Sequence, residues 1–118
     1  MRQLLNSKIL VLVLSLTLLR LLTAPFFGYG VDEAHYVLYA NNLALSYFDH
    51  PPLVGWIHFL FSIFAQNEFT ARVPAILLGA IDSFLVYGLL KDKDKNGAFL
   101  AAVALNASLT IGVLFLTL

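Results

Sequence analysis

Apolar residues run almost unbroken from Leu4 to Ala24, again from Thr70 to Leu90, and a third time from Ala98 to Leu118. Each run is about 21 residues, and at ~1.5 Å of rise per residue a helix of that length crosses the ~30 Å hydrocarbon core of a bilayer. Arg2 and Lys8 flank the start of the first run, and Arg20 interrupts it near its far end. The run is long for a cleaved leader, and Leu22-Thr23-Ala24 is a poor small-x-small cleavage site, so a retained anchor is expected. Pro25 with Gly28 and Gly30 ends that helix. The pattern therefore predicts three transmembrane helices (about 4–24, 70–90 and 98–118) and a polar loop over about 25–69.

Inside the loop the pattern changes period. Residues 33–47 read as a helix with Tyr36, Tyr39 or Ala40, and Leu43 on one face and Asn41, Asn42 and Ser46 on a wetter side. Asp32 is placed to cap it, with Glu33 in the first turn, where the helix dipole favours negative charge. The stretch Pro51 to Ala65 is short for a span and starts with two prolines suited to a helix start. Gly55, His58 and Ser62 form a narrow polar stripe on it, with Trp56, Phe59, Leu60, Phe61, Ile63 and Phe64 around them. That arrangement predicts a helix lying in the membrane interface, with Trp56 at headgroup level.

Charge decides between topologies. If residues 51–65 lie in the plane, Arg2, Lys8, Lys91, Lys93 and Lys95 are all cytoplasmic, and only Arg72 and the membrane-edge Arg20 are not. If they cross, the three lysines move outside. The positive-inside rule selects the first arrangement, with a cytoplasmic N-terminus and the loop on the outer face. Composition agrees with a membrane protein: the 118 residues are 60% hydrophobic and 12% charged, with a mean hydropathy of +0.85. A formal net charge of zero gives no reason to expect a nucleic-acid partner, and the absence of cysteine excludes disulfides and thiolate metal sites.

The chemistry-bearing residues gather in the loop. Adjacent helical residues diverge by about 100°, so Asp32 and Glu33 cannot act as a facing acid pair; one can enter a site while the other caps or supports. Asp49-His50 stands before Pro51-Pro52, whose rings restrict the backbone and lower the entropy of holding both side chains. A carboxylate and an imidazole also suit a divalent metal, though two ligands do not make a site. Asp82 lies mid-span, where an ionisable group is a functional candidate by default; local hydrogen bonding or a partner helix would equally account for it. Ala75, Gly79 and Ser83, and likewise Ala98, Ala102, Asn106 and Thr110, repeat at four-residue spacing and read as helix-packing stripes. Asn106-Ala107-Ser108 matches a glycosylation sequon by chance, inside a span.

The order of these features, Arg20, then Asp32-Glu33-Ala34-His35-Tyr36, then Tyr47–Trp56 (YFDHPPLVGW), then Asn67–Leu90, resembles the N-terminal part of integral-membrane glycosyltransferases of the GT-C class. It is most similar to the dolichyl-phosphate-mannose protein mannosyltransferases and bacterial aminoarabinose transferases, over roughly residues 15–90. The resemblance implies an all-α, polytopic, partial GT-C fold in an inner (plasma) membrane, with extracytoplasmic juxtamembrane helices. It implies sugar transfer from a polyprenyl-phosphate donor to a lipid, glycan or protein acceptor, with Asp32 at the catalytic centre as a base or acceptor-binding group and Glu33 supporting it. It further implies Asp49 at a possible divalent metal, and Tyr36, His50 and Arg72 as substrate-binding groups. Where aminoarabinose transferases carry Lys, this chain has His50, and a neutral imidazole holds phosphate less well than an ammonium. Complete members are several times longer, so the chain is expected to be a fragment that pairs with a missing C-terminal part or other membrane helices. The competing expectation is a non-catalytic small membrane protein.

Overall fold

The computed structural model describes the backbone of residues 7–116 and the side chains through Ser108. Among the described residues five α-helices follow one another: α1 (Ser7–Thr23), α2 (Val31–Asn41), α3 (Pro52–Ser62), α4 (Glu68–Leu90) and α5 (Lys95–Leu116), with one 3-10 turn at Ala24–Phe26. No strand occurs among the described residues. Among the described residues two stretches, Ser7–Phe26 and Glu68–Leu90, are long and apolar enough to cross a bilayer, while α3 is apolar but shorter. The outer ends of the first and third predicted spans, at residues 4–6 and 117–118, lie outside the described residues.

Two helix boundaries differ from expectation, each for a local reason. The N-cap of α2 is Gly30, and Asp32 already lies inside the helix. Gly30 has no side-chain oxygen to accept from the first turn, so the end is closed from the other side: its N–H donates to Glu33 Oε2 at 2.8 Å. At the other end α2 stops at Asn41, well short of residue 47, because Asn42 leaves the helical region (φ −134°, ψ 72°). The Asn42 side chain donates to the Leu38 carbonyl at 3.0 Å, a local bond that competes with the next helical turn. α3 begins on Pro52, whose missing N–H costs nothing in a first turn. α5 is capped by Asp94, whose carboxylate accepts from Asn96 N at 3.0 Å.

The chain forms two compact units. One comprises the chain up to Arg20 together with Ile76–Phe115. Its core is Ile9, Val13, Tyr87, Ala98 and Ala102, lined by Leu12, Ala80, Phe84 and Phe99. The small-residue stripes account for the close approach: Ser83, Ala98 and Ala102 are wholly buried, whereas Ala75 is exposed. Asn106 polarises this seam. Its Nδ2 donates to Ser83 Oγ at 2.7 Å and to the Ala102 carbonyl at 2.8 Å. Its Oδ1 and backbone carbonyl accept from Arg20 at 3.0 and 3.1 Å. Arg20 is thus committed to α5 rather than to Asp82. The other unit, Leu21–Ala75, contains α2 packed on α3 and the first turns of α4.

Interhelical hydrogen bonds in membranes contribute roughly 1–2 kcal/mol at most. Asn106→Leu is therefore expected to lower unfolding free energy by about 1–2 kcal/mol in micelles, while Leu at the exposed Ala104 is expected to be neutral. Reversible unfolding followed by helical circular dichroism checks both.

Candidate functional site

The loop unit is organised by one cation. Arg72, in the second turn of α4, is 7% exposed. Its Nε donates to Glu33 Oε1 at 2.7 Å and its Nη2 to Glu33 Oε2 at 2.8 Å, a bidentate fork. Nη1 donates to the carbonyls of Ala24 and of Phe27, the latter at 2.8 Å, and Nη2 also donates to the Gly28 carbonyl at 2.6 Å. Every N–H of the guanidinium has an acceptor. The carbonyls come from the chain that leaves α1, and the carboxylate comes from the first turn of α2. Arg72 therefore fixes where α2 begins.

The fork divides the adjacent acids. Glu33 turns inward to Arg72 and to Gly30 N, while Asp32 is exposed and has no partner among the described residues. Tyr36 follows one turn later and is half-buried. Burial raises its phenol above the ordinary value, and the negative charges of Asp32 and Asp49 raise it further. The two acids thus share the electrostatic neighbourhood of one tyrosine.

Residues 42–50 fold back over α2 through aromatic contacts. The Tyr39 and Tyr47 rings stack with centroids 4.1 Å apart. Tyr47 Oη donates to the Tyr39 carbonyl at 3.0 Å, and Trp56 Nε1 donates to the Ala44 carbonyl at 3.2 Å. Gly55 leaves room for the Tyr47 ring: a Cβ there would lie 2.9 Å from Cζ. Tyr39 Oη donates to Asp49 Oδ1. That bond, then His50, hold the Asp49 carboxyl below its ordinary value, and the same bond pushes the Tyr39 phenol up to about 12. His50 Nδ1 is 3.1 Å from Asp49 Oδ1 without hydrogen-bond alignment, and the His50 ring meets Tyr36 edge-on at 5.4 Å.

His58 ties α3 to α4, with Nδ1 2.8 Å from the Val54 carbonyl and Nε2 3.1 Å from the Ala71 carbonyl. Beside it, Val37, Ala40, Ser62, Gln66, Asn67 and Thr70 line a cavity of about 10 Å³, room for one water. Sequence reasoning left His58 as an interfacial polar group and did not foresee the Tyr39–Asp49 bond. Tyr39 and Asp49 meet only because α2 stops early and the chain doubles back.

The structure thus gathers Asp32, Tyr36, Asp49 and His50 in one neighbourhood, and holds Glu33 and Arg72 together behind it. Arg72, expected to bind substrate, has no donor left for a phosphate in this arrangement. For a divalent metal, Asp49 and His50 could supply two ligands, but no group of three His, Cys, Asp or Glu side chains assembles among the described residues.

The sequence pattern of the family described as dolichyl-phosphate-mannose-protein mannosyltransferase matches residues 49–118. The match opens on Asp49, runs to the end of the chain, and leaves Asp32, Glu33 and Tyr36 ahead of it. No curated protein and no solved structure matches.

Arg72→Lys keeps the charge but loses the fork, and is expected to destabilise the protein by about 3 kcal/mol, because it leaves Glu33 and three carbonyls short of donors. Denaturant unfolding of the two proteins in micelles checks it. The Tyr39–Asp49 bond sets a pH window with two edges. The Asp49 carboxyl is depressed, so its stabilisation is complete above its unfolded value and disappears as pH falls through the lower folded one. The Tyr39 phenol is raised, so its stabilisation is complete below ~10 and is lost as pH rises through about 12. Tyrosinate absorbance should contain a component near pH 12 that vanishes in Tyr39→Phe and moves to lower pH in Asp49→Asn.

Proposed function

The chain belongs to the dolichyl-phosphate-mannose-protein mannosyltransferase family, and on that premise we propose that it serves glycosyl transfer from a polyprenyl-phosphate sugar on the extracytoplasmic face of a bacterial-type inner membrane. The observation that carries this reading is the separation of the two adjacent acids. Glu33 is paired with Arg72 through both carboxylate oxygens, which leaves Asp32 unpaired and exposed on the first turn of the same helix.

In this reading Asp32 accepts the proton of the acceptor hydroxyl as its oxygen bonds to the anomeric carbon. The bond from that carbon to the phosphate oxygen breaks, and the polyprenyl phosphate leaves with the electron pair. Glu33 and Arg72 are positioning residues: they fix α2 and touch neither substrate. Tyr36, beside Asp32, Asp49 and His50, offers a hydroxyl to the sugar. With Arg72 committed to Glu33, contact with the phosphate rests on His50, where the resemblance put it, beside Asp49 and Tyr36. Asp49, pinned by Tyr39, shapes the floor of the site, and no step is assigned to a metal. The loop's outward placement rests on charge bias, with the lysines of the α4–α5 turn on the opposite side.

General-base contributions are typically about 10²–10⁴-fold. Asp32→Asn is therefore expected to lower transfer of sugar from a polyprenyl-phosphate donor by roughly 10³-fold, with unchanged helix content and membrane insertion. Near-normal transfer by that variant sinks the assignment.

A further inference from the structure

Asp82 is the one acid of α4 that neither unit uses. It lies roughly 20 Å along the helix axis from Glu68 and roughly 12 Å from Leu90, at ~1.5 Å per residue. Its side chain is exposed, on the face away from the buried Ser83 and Tyr87. Leu78, Leu85 and Leu89 accompany it there, 48%, 57% and 78% exposed. Leu78, Asp82, Leu85 and Leu89 succeed one another at alternating steps of four and three residues. That is the a/d spacing of a helix-packing seam, with a single polar residue inside it, the device that sets register and partner in paired helices.

We propose that this seam docks a transmembrane helix from outside these 118 residues that presents a lysine or arginine to Asp82. Lipid is a poor occupant, because a carboxylate at mid-span costs roughly 2.5–3.5 kcal/mol. The aspartate stem is too short to carry its charge the remaining distance to the headgroups. A second copy is also a poor occupant: two parallel α4 helices in register set carboxylate against carboxylate. Arg20, the cation near the far end of α1, is hydrogen-bonded to Asn106 on α5. A cation on the docking helix satisfies the acid, and the leucines above and below it supply packing. This inference rests on the membrane placement of α4 and not on the transfer reaction.

The test places a photo-crosslinking benzoylphenylalanine at Leu85 in the full chain in its native membrane, with Leu18 on α1 as the control site. The crosslinked peptide is identified by mass spectrometry. The expected product, formed from position 85 and not from position 18, is an apolar span containing a lysine or arginine. Asp82→Leu should lower its yield at least tenfold, and exchanging the charges, Asp82→Lys with the partner cation changed to Asp, should restore it. Asp82 faces away from the core, so helical circular dichroism of Asp82→Leu should match the parent. Crosslinks to lipid alone, to a second copy, or to a span without a cation overturn the proposal. So does a yield that Asp82→Leu leaves unchanged.

Discussion

A buried guanidinium is tolerable only when every donor is answered, and the loop unit is built around answering one. Arg72 gathers the carbonyls of Ala24, Phe27 and Gly28 and both oxygens of Glu33. Those acceptors belong to the exit from α1 and the entry to α2, so one side chain determines how the chain turns between them. Buried ion pairs are a weak source of net stability, since desolvation offsets much of the attraction, but losing one partner strands the other. The fork therefore acts mainly through geometry. It gives α2 one starting point, and with it one position for Asp32.

What lies downstream depends on that start. From a fixed first turn, Tyr36 and Tyr39 project at successive turns, and Tyr39 receives the returning loop through Tyr47 and Asp49. Gly55 admits Tyr47, and Trp56 ties α3 to the same loop through Ala44. The acid neighbourhood of Asp32, Tyr36, Asp49 and His50 is thus assembled by aromatic packing. A site with that construction keeps a free carboxylate exposed without leaving its backbone loose.

Much of this was legible beforehand. Hydropathy alone located α1 and α4 to within a few residues, and adjacency alone required Asp32 and Glu33 to part. The small-residue repeats around Ser83, Ala98 and Ala102 foretold which faces meet. The failures share a cause. The end of α2 at Asn41 depends on a side chain bonding back to Leu38, and helix propensity carries no trace of that competition. Glu33 and Arg72 are 39 residues apart, and Tyr39 and Asp49 are 10 apart across a reversal. Nothing periodic links such pairs. Arg72 stood out in the sequence as an arginine beyond the first span, and a substrate was expected on it. The alternative, that an acid of the same loop claims it, becomes visible only once the carbonyls behind Ala24 are in place.

The central claim is that the neighbouring acids divide into one that holds the fold and one left free. A double-mutant cycle on unfolding free energy in micelles addresses it directly, using Glu33→Gln with Arg72→Met and, in parallel, Asp32→Asn with Arg72→Met. A coupling of about 2–3 kcal/mol between Glu33 and Arg72, with less than about 0.5 between Asp32 and Arg72, is the predicted result. Equal coupling for the two acids, or coupling to Asp32 alone, would contradict it.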